Sequence, residues 1–264
     1  MIYVNGDCHG DFKRFTKKEL CRSKYQLTSK DYVIVLGDFS LVWADDKEFK
    51  YNCDWLSRLP FTILFLDGNH DNHDMLASYP VEVWCGGKVH HIVKDKIIHL
   101  MRRQIFHING VSLFTMGGAE SHDIQGGVFA KSDPDYSAKK KFAKKNNLPY
   151  RVIGESWWSQ ELPDEKEYKE GLRKLEKADF KVDFVLSHCT PKDVQEKLIG
   201  AGELKRKLEI NALTEYFEFL QSKVCYKHWL SGHIHLDVRI NSKHTVVYRD
   251  FILAEEMLEH GNED

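Results

Sequence analysis

Five short apolar runs constrain what this chain can fold into: Tyr3-Val4, Val33-Ile34-Val35-Leu36, Ile63-Leu64-Phe65-Leu66, Phe184-Val185-Leu186 and Trp229-Leu230. A half-exposed strand alternates apolar with polar residues. Unbroken runs rich in Val and Ile, bounded by Gly, Asp or Pro, read instead as strands buried on both faces. Helical periodicity fills the intervals. Phe49, Cys53 and Leu56 recur at i, i+4 and i+7 ahead of Pro60, and Leu213, Phe217 and Leu220 repeat the pattern near the C-terminus. Asp164 and Glu167 make a capping box ahead of Tyr168, Leu172 and Leu175, although Gly171 weakens that helix. From Val89 to Met116 the pattern becomes successive short strands. Asn109-Gly110 there is a type I′ hairpin signal between Phe106-His107-Ile108 and Val111-Ser112-Leu113. Strand–helix units flanking an antiparallel middle predict an α/β chain. Its strands form one mixed sheet or two packed sheets, with helices outside.

Composition narrows the class. A chain of 264 residues, 42% of them hydrophobic, supports one large domain spanning 1–264 and excludes a disordered or fibrous polymer. The net charge of −2 gives no bulk reason to bind nucleic acid or a membrane surface. No apolar run approaches the roughly 18 residues a membrane span needs. Met1-Ile2-Tyr3-Val4 runs straight into a strand, leaving no room for a signal peptide. Six cysteines without a CxxC pair fit a reduced, cytoplasmic setting better than a disulfide framework or structural zinc. The least regular stretch, 121–163, holds three of the six prolines and the lysines Lys139, Lys140, Lys141, Lys144 and Lys145. It is expected to be lid-like, with Asp133-Pro134 opening a short helix through Phe142. Its lysines read as a solvated helix face rather than a phosphate site.

Four of the five apolar runs end in groups that bind metal, and the remaining one, Phe184-Val185-Leu186, ends in a single histidine. Asp7 and His9 follow the first, in Gly6-Asp7-Cys8-His9-Gly10-Asp11, and Gly37-Asp38 follows the second. Gly68-Asn69-His70-Asp71 follows the third, Ser187-His188-Cys189-Thr190-Pro191 the fourth, and Gly232-His233-Ile234-His235 the fifth. Loops at the carboxyl ends of strands line the ligand crevice in α/β sheets, so these groups converge on one place. Each group alone is ordinary turn chemistry; the ordered set of five is not.

In that order the residues resemble the motifs of the calcineurin-like metallophosphoesterase superfamily: Asp-x-His, Gly-Asp, Gly-Asn-His-Asp/Glu, a lone His and Gly-His-x-His. The resemblance implies a four-layer α/β/β/α sandwich of two mixed β-sheets flanked by helices, with a two-metal site at one edge. It implies that Asp7, His9, Asp38 and His235 hold one divalent ion. Asp38, Asn69, His188 and His233 would hold the other, with Asp38 bridging. It makes His70 the proton donor and Asp71 the residue that orients it. Such donors suit Mn, Fe or Zn, with Ni also possible, better than Mg or Ca. Two bound ions would attract a phosphate oxyanion, and a water between them would supply hydroxide near neutral pH. The expected activity is metal-dependent hydrolysis of a phosphate monoester or diester. A non-catalytic metal-binding scaffold of the same fold, or a nuclease, is the alternative.

Two departures point away from the protein Ser/Thr phosphatase branch. Leu41 stands where many members carry a second acid, which puts the orientation of His9 or its neighbours in question. The third motif ends in Asp71 rather than Glu. Gly117-Gly118-Ala119-Glu120-Ser121-His122-Asp123 and Glu155-Ser156-Trp157-Trp158 resemble stretches of uncharacterised bacterial and phage members. That similarity suggests a turn delivering Ser121, His122 or Asp123 to the site rim, with Trp157 and Trp158 packing the lid. Of the fourteen histidines, nine match no motif. His90, His91, His99 and His107 are expected on strands with one wet face; His73, His228, His244 and His260 read as background. Cys8 and Cys189 neighbour the candidate ligands and are candidates for oxidation.

Overall fold

The computed structural model describes residues 1–20 and 26–259; Cys21 and His260 lie outside the described residues. One sheet has seven strands: β1 (Ile2–Asn5), β2 (Tyr32–Val35), β3 (Thr62–Phe65), β4 (Val81–Trp84), β5 (Gly87–Val93), β6 (Ile97–Leu100) and β15 (Ile252–Leu253). Their spatial order is β15-β1-β2-β3-β6-β5-β4, parallel from β1 to β6 and antiparallel at both edges. The other has six strands: β7 (Gln104–Ile108), β8 (Val111–Met116), β11 (Phe184–Ser187), β12 (His228–Ser231), β13 (Val238–Asn241) and β14 (His244–Val246). These run β13-β14-β12-β11-β8-β7, with the four inner strands parallel.

The unbroken apolar runs are explained by where alternate side chains go. Val4, Ile34, Leu36, Leu64, Leu66, Phe184, Leu186 and Leu230 point into a core between the sheets. Tyr3, Val33, Val35, Ile63 and Phe65 point the other way, against the helices of the first sheet. Val185 and Trp229 do the same on the second. Each buried large side chain contributes roughly 1.5–3 kcal/mol, so both faces are held by apolar burial. The expected α/β/β/α sandwich of two mixed sheets is therefore what forms.

Helices α1 (Lys17–Leu20), α2 (Lys47–Ser57), α3 (His73–Ala77), α4 (Tyr136–Lys145), α5 (Glu165–Lys177), α6 (Lys192–Gly200), α7 (Ala212–Lys223) and α8 (Ala254–Glu259) complete the layers. Asp46 caps α2 by accepting the Phe49 N–H at 2.9 Å. The capping box of Asp164 and Glu167 is present at α5, worth about 1 kcal/mol. Gly171 has a packing reason: a Cβ there would lie 2.6 Å from the Tyr216 hydroxyl of α7. Asn109 and Gly110 have φ of 52° and 81°, as a type I′ turn requires. No helix among the described residues is long and apolar enough to cross a membrane.

Two expectations need correction. The helix in 121–163 starts at Tyr136 with Asp135 as its N-cap, not at Asp133-Pro134. The aspartate-rich turn offers several starting points, and none of its side chains caps the helix. His90 and His99 are not on a wet face: they are 4% and 5% exposed, with Nδ1 atoms 3.1 Å apart. The same stretch, 121–163, also forms a small parallel pair, β9 (Val128–Phe129) with β10 (Arg151–Val152). Its lysines are mostly exposed on α4, where Lys139 pairs with Asp133.

Candidate metal centre

The carboxyl ends of β1, β2 and β3 in one sheet face those of β11 and β12 in the other, and the loops that follow meet there. Asp7 is fully buried; its Oδ1 accepts the His233 N–H at 2.9 Å and its Oδ2 lies 3.1 Å from His235 Nε2. His9 Nε2 is 2.9 Å from His235 Nε2 and 3.7 Å from both Asp7 Oδ2 and Asp38 Oδ2. Asp38 Oδ1 accepts the His70 N–H at 2.7 Å and sits 3.3 Å from His188 Nε2. Asn69 Oδ1 is also 3.3 Å from that nitrogen. His188 donates its Nδ1–H to the Leu36 carbonyl at 2.7 Å, which aims Nε2 into the cluster. Three groups of donors lie close enough to hold an ion: Asp7, His9 and His235; His9, Asp38 and His70; Asp38, His188 and His233.

The electrostatics of this box suit a cation. Asp7 and Asp38 are buried, and among the described residues neither carboxylate pairs with Lys or Arg. Burial opposes a charge on His188, yet Asp38 and Asp7 outweigh it and lift the imidazole to about 10. Burial likewise opposes the Asp38 carboxylate, but His188 beside it holds the carboxyl far below the usual range. A proton on His188 thus does the neutralising that a bound cation would do, because buried carboxylates need a positive partner.

Backbone geometry shows how tightly the loops are drawn in. His9, Asp38, His233 and His235 all have positive φ, between 47° and 66°. A non-glycine residue there costs roughly 1–2 kcal/mol, and such strain concentrates at functional sites. The flanking glycines leave room for the donors: a Cβ on Gly37 would lie 2.4 Å from the His188 ring, and one on Gly68 2.1 Å from Asp38 Oδ1.

His70 and Asp71 part company. The Asp71 carboxylate accepts the backbone N–H of Ser40 and of Gly68, each at 2.8 Å, and so ties the loops after β2 and β3 together. Among the described residues, the hydrogen bonds of its carboxylate go to these backbone groups and none to the His70 ring. Burial, and then the charge of Asp38, push its carboxyl upward. What lies against the His70 ring is Arg151, whose Nη2 is 3.2 Å from Nδ1 and 3.0 Å from Nε2. Burial holds His70 down to about 4, with the Arg151 charge adding to the shift. Leu41, in the position of the expected acid, is 3% exposed and packs in the outer core of the first sheet.

Around the cluster, the residues singled out in the sequence meet others, Arg151, Glu209, Arg206, Asp67 and Arg102, that carry no sequence signal. Asp123 holds Arg151 with two hydrogen bonds, from Nε at 3.1 Å and from Nη2 at 2.5 Å. Glu209 Oε1 accepts from His233 Nε2 at 3.0 Å, and Arg206 reaches both Glu209 and His122. Behind Asn69, Asp67 receives a buried Arg102 and, at 3.2 Å, His99. The turn at Gly117-Gly118 brings Ser121 within 3.4 Å of Asn69, and His122 edge-on to His233 at 5.6 Å. Trp158 is buried edge-on to Trp43, while Trp157 is half-buried. The Cys8 and Cys189 thiols are buried, and burial lifts Cys8 to about 12 and Cys189 well above the ordinary thiol range, so both lack the accessible thiolate that oxidation requires.

Comparison with known proteins adds three findings. Residues 1–237 match the family described as calcineurin-like phosphoesterase, Metallophos. No curated protein matches the sequence. Among solved structures, the phosphopantetheinyl hydrolase of Mycobacterium tuberculosis aligns with a TM-score of 0.42 and 12% identity, over 94% of this chain and 89% of that one.

Proposed function

This chain belongs to the calcineurin-like phosphoesterases, hydrolases of phosphate esters, and we propose that it acts through two divalent ions held between the ends of its two sheets. Asp7, His9, Asp38 and His235 would hold one ion. Asp38, Asn69, His188 and His233 would hold the other, with Asp38 shared. The observation that carries this reading is the linkage of the donor groups: Asp38 belongs to two of the three, and His9 to two. A shared carboxylate is what a pair of ions a few ångströms apart requires. Carboxylate, imidazole and amide donors favour Mn, Fe or Zn, with Ni as a further option. When bound, the ions supply the charge that draws a phosphate oxyanion and the lowered water pKa that yields a nucleophile near neutral pH.

The chain's own groups supply the rest. His70, pinned through its backbone to Asp38, faces the departing oxygen, and its neutral imidazole, held down to about 4, would polarise that oxygen through a ring N–H. Arg151 sits on the same side and offers its guanidinium to the phosphoryl oxygens. Segment 121–163 serves as a lid that carries Asp123 and Arg151 to the site and keeps water from it. Monoesters and diesters both suit such a centre, because it reads the phosphoryl group alone. A polynucleotide is disfavoured: among the described residues that line the cleft beside His9 and His70, none is a lysine.

The test pairs metal content with turnover. The protein is loaded with Mn, Fe, Zn, Ni or Mg and assayed on p-nitrophenyl phosphate and bis(p-nitrophenyl) phosphate. Two equivalents of ion and ion-dependent hydrolysis are expected, and Asp38→Ala loses both. His70→Ala keeps the ions but slows turnover, most for esters with poor leaving groups. Full activity in excess chelator would overturn the proposal.

A further inference from the structure

A cleft of about 340 Å³ opens beside the candidate centre. At one end are His9, His70 and Arg151; at the other are Trp43 and the first two turns of α2, which present Phe49 and Asn52. Its floor is apolar where an acid was expected, because Leu41 and Phe12 line it. We infer that this cleft receives the organic part of the substrate, and that the substrate is a small phosphate ester bearing one uncharged aromatic group. The inference rests on the reading of the adjoining centre given above.

Three features carry it. The aromatic wall is built before any ligand arrives. Asn72 Nδ2 donates to the Trp43 carbonyl at 2.8 Å, and Trp158 meets the Trp43 ring edge-on at 5.4 Å. Trp158 is itself fixed by Asp74, which accepts its indole N–H at 3.0 Å. A wall held this way gives a flat ring a partner at little entropic cost. The charges are also sorted along the cleft. Arg151 is the one Lys or Arg among its described lining residues, and it stands at the His70 end, where one phosphoryl group would lie. Asp46 and Glu48 line the α2 end, so a second phosphate or a carboxylate there meets like charge. The volume sits near the lower limit for small-molecule sites, enough for a ring and short linker but not for a polymer.

The experiment is calorimetric titration of the Mn-loaded protein with three non-hydrolysable probes: methylphosphonate, phenylphosphonate and 4-carboxyphenylphosphonate. Phenylphosphonate is expected to bind at least tenfold tighter than methylphosphonate. Trp43→Ala and, independently, Phe49→Ala should each remove most of that margin while leaving methylphosphonate within about twofold. Trp43→Phe should restore most of it. The carboxylated probe should bind about threefold weaker than phenylphosphonate, and Glu48→Gln should narrow that gap. Equal binding of the methyl and phenyl probes, or equal losses for both in the variants, overturns the aromatic subsite and leaves the metal reading standing. Failure of every probe to bind the loaded protein overturns both.

Discussion

Replacing Gly68 with alanine puts one methyl group into the centre and nothing else. Gly68 has no left-handed φ, so the backbone accepts alanine and the effect is steric. The new Cβ would lie 2.1 Å from Asp38 Oδ1, 2.6 Å from the Asp38 backbone nitrogen and 2.7 Å from His188 Nε2. An ordinary carbon–oxygen contact is about 3.3 Å, so the carboxylate must retreat by roughly 1 Å. It cannot do so freely, because the same oxygen accepts the His70 N–H at 2.7 Å. Overpacking of this kind costs about 1–3 kcal/mol, which for a chain of this length lowers Tm by roughly 4–8 °C at the middle of that range. Misplacing a reacting constellation by about 1 Å costs about 100-fold in rate. The expected outcome is loss of at least one ion equivalent by elemental analysis, a kcat/KM about 100-fold lower, and the stated fall in Tm. Gly200 provides the control, since a Cβ there meets nothing within 4 Å. Gly68→Ala with two bound ions and unchanged kcat/KM would show that Asp38 is not the shared donor and refute the reasoning.

Three further outcomes are expected. Gly200→Ala, at the end of α6, should raise stability by a few tenths to about 1 kcal/mol in urea unfolding, by restricting the unfolded chain; a loss would show that the position is crowded. Arg102→Met should cost about 3–5 kcal/mol, because it strands the buried Asp67 carboxylate; adding Asp67→Asn should recover a good part, and no recovery would count against the buried pair. His228 is fully buried, donating to the Ser242 carbonyl and accepting from Thr245, and burial holds it down to about 4. Its neutral form is favoured by folding, so its contribution is complete above the ordinary value near 6.5 and is lost as pH falls from there to about 4. The loss is about 3 kcal/mol at most; His228→Gln should flatten the acid limb of a stability–pH profile, and an unaltered limb would exclude it.

The strands and the clustering of candidate donors were legible for one reason. An apolar run such as Ile63–Leu66 sends alternate residues into two different cores, so it cannot carry a polar face, and its end is marked by the Gly-Asn turn. Local chemistry also spoke clearly at Asn109-Gly110 and at Asp164 with Glu167, where backbone conformation and capping are decided within four residues. Arg151 and Glu209 were not legible. Arg151 meets His70 across 81 positions and Glu209 meets His233 across 24. Nothing in their own neighbourhoods distinguishes them from surface charge. The partners of Asp71 were not legible either, because the Ser40 N–H it accepts lies 31 positions away. His99 was misjudged because Asp67 and Arg102, its polar company, are assembled by the sheet and not by the local pattern.

The two sheets contribute unequal, incomplete shares of the donors. Asp7, His9, Asp38 and Asn69 come from the chain that builds the first sheet, whereas His188, His233 and His235 come from the chain that builds the second. Two of the three donor groups draw on both shares, so on the proposed reading bound cations would act as rivets across the seam between layers. A ligand that binds only the closed seam adds RT ln(1 + [L]/Kd), about 4 kcal/mol at a thousandfold excess over Kd. Cation supply would then set how firmly the layers stay docked, making the protein's mechanical integrity and its chemistry draw on the same ions.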